Sequence, residues 1–330
     1  MQPEICLIMM EMIGGKEALK FRIISKSWLA ASQHFRSINL QYFSDVHDNL
    51  FKITDHILME HVSDLEIFDN KLTVVESFRR FVENPHLRNL KTLYLEYQES
   101  MEELFDGDFT DPANRLVNEI GLIANCEIFA KLENLTIINH KFTNRGLSDI
   151  FNSKVLRNLK TLNLQSNSFT NFGSVSSGTN CLINLTALIL KWELVTLEDI
   201  QLMCNNQLFS KLKKLVIAPF LNSILKNWDE GFSIILNNPV WSNLKYLKIE
   251  LPKILNSVSN IKCTLQLEKL IIRASSDLES CKSLILNKSI SLSLKYLDIG
   301  KINSASYDNT ADIKELDAFR PLFETFIFKI

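Results

Sequence analysis

The chain has 330 residues, 46% hydrophobic and 22% charged, which is enough apolar material for a large core and excludes a mostly disordered protein. A formal net charge of −2 and a pI of about 6.3 give no broad attraction to nucleic acid or to anionic lipid, so neither is expected as a partner. The six cysteines, Cys6, Cys126, Cys181, Cys204, Cys263 and Cys281, lie far apart with no CxxC. They read as reduced, packed thiols of a cytoplasmic or nuclear protein with no metal and no cofactor.

The N-terminal stretch is apolar at eight of the nine positions from Ile5 to Ile13. Glu4 precedes the run, Glu11 interrupts it and no small-residue cleavage site follows, so an export signal is not expected. No window of the chain offers the roughly 18 consecutive, predominantly apolar residues of a membrane span; the long uncharged run 161–190 is rich in Ser, Asn and Thr. Pro3 can open a helix with Ile5, Ile8, Met9 and Met12 on one face, and Gly14 and Gly15 break it. A second helix is predicted from Lys16 through Ser25, ending near Trp28. So small a unit must dock on something.

Residues 2–34 resemble an F-box. Pro3-Glu4-Ile5 matches the family's opening, Met9, Met10 and Ile13 its aliphatic helix, Glu17-Ala18-Leu19 its acidic-aliphatic pair, and Ile24-Ser25-Lys26-Ser27-Trp28 its closing tract. Gln2 and the double glycine depart from the pattern. The resemblance implies docking on a Skp-type adaptor of a cullin-RING ubiquitin ligase, with Pro3, Ile5, Met9, Met10, Ile13, Leu19, Ile24 and Trp28 as the adaptor face or its support. The other reading of the same residues is a helical cap on the repeats that follow.

From Phe35 onward the pattern L-x-x-L-x-L recurs. Copies start at Val62, Leu90, Leu132, Leu159, Leu185, Leu212, Leu244, Leu267 and Leu294, with weaker ones at Phe35 and Leu322. Seven of the ten steps between starts fall between 26 and 28 residues, which scattered apolar motifs would not do. These copies resemble the leucine-rich repeats of the ribonuclease-inhibitor-like or cysteine-containing kind. The family's asparagine at the ninth position is present at Asn70 and Asn167, and His140 is among its replacements.

Each copy predicts a strand, and each intervening stretch can return as a helix: Val74, Val75, Phe78, Phe81 and Val82 have helical spacing, as do Trp228, Phe232, Ile235 and Leu236. Residues 165–181, rich in Ser, Asn and Gly, predict a loop, and an acidic insertion is expected at about 97–115. The expected fold is α/β, a curved leucine-rich-repeat solenoid of about 10–11 irregular repeats over 35–330, parallel strands on its concave face, behind the small helical module of 1–34.

Strand alternation turns positions 3, 5 and 7 of each copy onto the concave sheet. There the charge changes sign. Asp64, Glu66, Tyr94 and Glu96 come early, and Lys214, Tyr246, Lys248, Lys269, Arg273 and Tyr296 come late as a basic patch for an acidic or phosphorylated segment of a target protein. Lys191 and Asp298 also take outward positions, and the final copy is expected to turn Glu324, Phe326 and Phe328 outward.

No P-loop, GxSxG, HExxH or GxGxxG occurs, so no catalytic residue is expected. The resemblances together imply the substrate-recognition subunit of a ubiquitin ligase. A non-catalytic repeat scaffold with a degenerate F-box or plain cap is the alternative.

Overall fold

The computed structural model describes residues 36–40, 57–68, 75–97, 119–140, 143–167, 169–176, 181–193, 195–219, 228–253, 265–276, 278–302 and 316–329. The F-box-like segment, Asn70 and the insertion from 98 onward therefore lie outside the described residues. The chain divides into two compact units, the first running to Ser168 and including Cys181–Asn184, the second comprising Phe169–Asn180 and Leu185–Ile330.

In the first unit the strands are β1 (Ser37–Leu40), β2 (Asp64–Ile67), β3 (Thr92–Glu96), β4 (Asn134–Ile138) and β5 (Thr161–Asn163). In the second they are β6 (Ala187–Glu193), β7 (Lys214–Pro219), β8 (Tyr246–Lys253), β9 (Lys269–Ser276), β10 (Tyr296–Ile302) and β11 (Thr325–Lys329). From β1 to β10 every strand starts at the third residue of its copy. Neighbours pair parallel and in the same index: Leu65, Leu93, Leu135 and Leu162 form one line, and Leu188, Leu215, Leu247, Leu270 and Leu297 another. All nine are fully buried, each contributing about 1.5–3 kcal/mol of apolar burial. Strands that all run one way need long return segments, and the period of the copies supplies them. Both units thus have the α/β architecture of a leucine-rich repeat.

The returns carry short helices. In the first unit these are α1 (Val75–Val82), α2 (Gly121–Asn125) and α3 (Asn144–Phe151). In the second they are α4 (Phe172–Ser176), α5 (Leu197–Cys204), α6 (Trp228–Asn237), α7 (Leu278–Leu286) and α8 (Lys288–Ser291). Phe78, Phe81 and Val82 of α1 and Phe232, Ile235 and Leu236 of α6 are buried, as their spacing predicts. The second unit adds an aromatic stack: Phe172 lies 6.2 Å from Phe209, which lies 5.9 Å from Trp241, whose indole N–H donates to Cys204 Sγ at 3.0 Å. Burial pushes the Cys204 thiol up to about 11, so it stays protonated.

Two expectations are corrected. Residues 172–176, predicted as loop, are α4. Its helix depends on packing: Phe172, Gly173 and Ser176 are buried, and a Cβ at Gly173 would lie 2.7 Å from the Asp199 backbone. The final copy starts at Phe323, not Leu322, because Leu297 of β10 pairs with Phe326. Phe326 is therefore a core residue at 6% exposure, Leu322 is 57% exposed, and Thr325 and Ile327 take the outward places expected for Phe326 and Phe328. A slip of one residue in a strand exchanges its faces.

Hydrogen bonds between copies hold the stack. Asn167 occupies the ninth position as expected: it donates to the Ile137, Leu164 and Gln165 carbonyls at 2.9, 2.8 and 3.2 Å and accepts from His140 N–H at 3.1 Å. A second series sits one residue before the copy start. There Asn89, Asn158, Asn184 and Asn243 donate to Glu60, Ala130, Arg157 and Ser210 carbonyls of the preceding copy, at 2.7, 2.8, 2.8 and 2.8 Å. A third lies six residues before the start. Asn84, Ser153, Asn206 and Asn238 accept backbone N–H groups of the turn they open, while Cys126, Ser153 and Asn206 donate to the carbonyls of Val82, Ala124 and Ser176. These two series serve the backbone of the turn that leads into each strand, whereas Asn167 serves the turn that leaves it.

Candidate functional site

The six predicted residues of the basic patch all lie on the open sheet face of the second unit, and the pairing brings four of them into one row. Lys214 is opposite Tyr246, Tyr246 opposite Lys269, and Lys269 opposite Tyr296. Strands stand about 4.8 Å apart, so each ammonium reaches a neighbouring ring. Lys214 Nζ is 5.2 Å and Lys269 Nζ 5.5 Å from the Tyr246 centroid, and Lys269 Nζ is 3.8 Å from that of Tyr296. Such pairs are worth about 0.5–1 kcal/mol each at an exposed site.

The remaining two stand nearer the C-terminal ends of the strands. Lys248 on β8 forms an ion pair with Glu250 at 2.5 Å, and Glu250 is opposite Arg273 on β9. Lys191, on β6, belongs to the same group although the basic patch was expected without it. Burial, followed by Lys248, holds its ammonium below the usual range, with Arg273 and Lys214 adding to the shift and Glu250 opposing it. Asp298 is the second carboxylate of the face. It is buried, accepts from Gly300 N–H at 3.1 Å, and with the nearby Tyr296 raises the Tyr246 hydroxyl, although burial contributes most. Lys191, Glu250 and Asp298 hold outward places in their copies, and a patch drawn from positive charge leaves out the two carboxylates among them.

The outward positions of the first unit carry different chemistry. Phe68 and Tyr94 stack at 4.7 Å, and the Tyr94 hydroxyl donates to Glu96. Burial, then Glu96, raises the Tyr94 hydroxyl above its ordinary range. Across β4 and β5 the face becomes neutral, with Asn134, Thr136, Thr161 and Asn163. A groove of about 280 Å³ at the N-terminal strand ends is lined by Lys91, Lys131, Glu133, Asn158, Lys160 and Asn184. Within it Lys160 is 2.6 Å from Glu133 and Lys131 2.6 Å from Asn89.

The predicted adaptor residues Pro3, Ile5, Met9, Met10, Ile13, Leu19, Ile24 and Trp28 lie outside the described residues. Among the described residues no group of three His, Cys, Asp or Glu could hold a metal ion, and no helix is long and apolar enough to cross a membrane.

No family model matches the chain, and no curated protein matches it. Among solved structures it is similar to one titled as the crystal structure of a TLR13-ssRNA13 complex, at 13% identity with a TM-score of 0.33, over 88% of this chain and 52% of that one. The chain thus spans about half the length of that neighbour.

Proposed function

We propose that the chain is a non-catalytic recognition subunit that binds an acidic segment of a target protein on the open sheet face of its second unit. The observation that carries this reading is the Lys214-Tyr246-Lys269-Tyr296 row with Lys191, Lys248 and Arg273 beside it. Five cations there outnumber Glu250 and Asp298, and aromatic side chains supply rigid contact area between them. Each is held by a strand whose register is fixed by the leucines beneath, so the face is preorganised and little ordering entropy is lost on binding.

The F-box resemblance of residues 2–34 extends the proposal: the N-terminal module docks on a Skp-type adaptor and places the bound target within reach of a cullin-RING ubiquitin ligase. Leu19 and Trp28 are two of the eight residues that the resemblance assigns to the adaptor face or its support, Trp28 as its anchor. A docking module joined to a repeat face is a bridge, and a bridge needs no catalytic group of its own.

Co-purification of the full chain with a Skp-type adaptor tests the ligase part. Adaptor retained by the intact chain and lost from a Leu19→Asp, Trp28→Ala variant is the expected result. An intact chain that retains no adaptor would leave a repeat scaffold.

A further inference from the structure

Lys191 of β6 stands beside a floor without charge. Its register partner is Ala218 of β7, and Val216 and Ala218 of β7 and Ile271 of β9 hold outward places yet are only 3%, 2% and 7% exposed. Short side chains there lie beneath the longer ones around them. Charged groups surround this floor: Lys214 on β7, Lys248 and Glu250 on β8 and Arg273 on β9 all act on the Lys191 ammonium, Glu250 in its favour and the three cations against it. Glu250 is engaged elsewhere, 2.5 Å from Lys248 and opposite Arg273. Among the described residues Lys191 has no carboxylate of its own at ion-pair distance.

We infer that Lys191 is a site of reversible carbamate formation with carbon dioxide, Lys248 and Arg273 holding the carboxylate that forms on its nitrogen. The inference concerns Lys191 itself, and rests neither on the N-terminal module nor on a target bound to the face. The ammonium first gives up a proton. The nitrogen lone pair then forms a bond to the carbon of carbon dioxide, one carbon–oxygen π pair moves onto oxygen, and the nitrogen loses a second proton. One ammonium and one carbon dioxide thus become one carbamate and two protons, with no oxidant or reductant.

The needs of this reaction meet at one place. It needs a neutral amine, and burial, followed by Lys248, disfavours the charged form of Lys191. It needs room for a small linear molecule with no net dipole, which suits a floor of Val216, Ala218 and Ile271. It needs cations for the product: Arg273 can meet a carboxylate in bidentate fashion, and Lys248 stands beside it as a point charge. Charge balance selects the electrophile. Lys191, Lys214, Lys248, Lys269 and Arg273 exceed Glu250 and Asp298 by three. An aldehyde would leave Lys191 as a neutral or cationic imine and an acyl donor would leave a neutral amide, whereas a carbamate turns the cation into an anion. The face then holds four cations and three anions, an excess of one, and should hold an acidic segment less tightly.

The test equilibrates the full chain with isotopically labelled carbon dioxide at fixed pH, traps carbamates as ethyl esters with triethyloxonium ion and reads each lysine by peptide mass spectrometry. Trapping at Lys191 should exceed that at the exposed Lys154 and Lys213 by about tenfold, and should fall to their level in urea that unfolds the chain. Lys248→Met with Arg273→Met should remove the excess. Glu250→Gln should raise trapping at Lys191 by about threefold, a gain that loss of structure cannot produce. Equal trapping at Lys191, Lys154 and Lys213 of the folded chain, or an excess at Lys248 in place of Lys191, overturns the inference. Fluorescence anisotropy with a glutamate-rich heptapeptide separates it from the reading of the face. The peptide should bind about threefold more weakly under carbon dioxide, and equally with and without the gas to Lys191→Arg. An excess at Lys191 with no peptide bound under either condition supports the inference and overturns the acidic-segment reading.

Discussion

Tyr94 in the first unit and Tyr246 in the second both stand on the outward side of a parallel strand, but their neighbours differ in sign. Tyr94 donates to Glu96 and feels Glu66, whereas Tyr246 lies near the ammonium groups of Lys214 and Lys269. Beneath both faces the same lines of buried leucine continue. The interiors differ in another way. The first unit carries a buried polar cluster in which Asn167 bridges the turns after β4 and β5, and the second unit carries the stack from Phe172 through Phe209 to Trp241. A repeat scaffold can thus set its surface chemistry separately from its support, because the side chains at positions 3, 5 and 7 stand on the face opposite the buried leucines.

The strongest way to break this comparison is to remove its interior supports. Trp241→Ala should cost about 4 kcal/mol, through the cavity left in the aromatic stack, read as a lower urea midpoint. Asn167→Ala should cost about 3 kcal/mol in the first unit, because the buried carbonyls of Ile137 and Leu164 lose their donor. Comparable losses are expected despite the opposite chemistry, and a loss under about 1 kcal/mol from either variant would show that its unit does not depend on that support.

A pH titration sharpens the contrast further. Burial lowers the His140 imidazole to about 4, so in the folded chain it is neutral at neutral pH. Below its ordinary value of about 6.5 the unfolded chain takes up a proton that the folded chain refuses until about 4, so stability falls as pH drops through that window. At pH 5 the contribution is about 2 kcal/mol. His140→Asn should flatten this part of the stability profile, measured by urea unfolding between about pH 4.5 and 7.

The smallest effect is expected on the faces. Lys214→Glu with Lys269→Glu reverses the sign of the Tyr246 row and should cost only about 1.5 kcal/mol, the summed scale of three exposed cation–π pairs. If this double variant destabilises as much as Trp241→Ala in the same urea measurement, face and support are not separable.

Much of the scaffold was legible because its signal is periodic. The copy starts placed β1 to β10 and named the core leucines, and the outward positions named the six basic and aromatic residues that β7 to β10 bring together. The slip at the last copy came from anchoring on Leu322, although Phe323, Phe326 and Phe328 fit positions 1, 4 and 6 better than Leu322, Thr325 and Ile327 do. Helix α4 had no such signal: a five-residue helix rich in Ser and Gly has little propensity of its own and forms where Phe172 and Ser176 are buried. The asparagines before the copy starts were in plain view, as in NLKTL, NLTAL and NLKYL. They lie outside the L-x-x-L-x-L window, which carries no signal for them. Reading charge without its counter-charge likewise left out Glu250 and Asp298.

The residue six places before each copy start shows what this design tolerates. At three such places a thiol, a hydroxyl and an amide, those of Cys126, Ser153 and Asn206, each donate to a carbonyl of the preceding copy. In these three copies the position is served by a short side chain with a proton to give, and not by any one amino acid. Lettering can therefore drift from copy to copy while the bond to the preceding copy is kept, which leaves the outward positions open to be rewritten for a new partner without rebuilding what lies beneath.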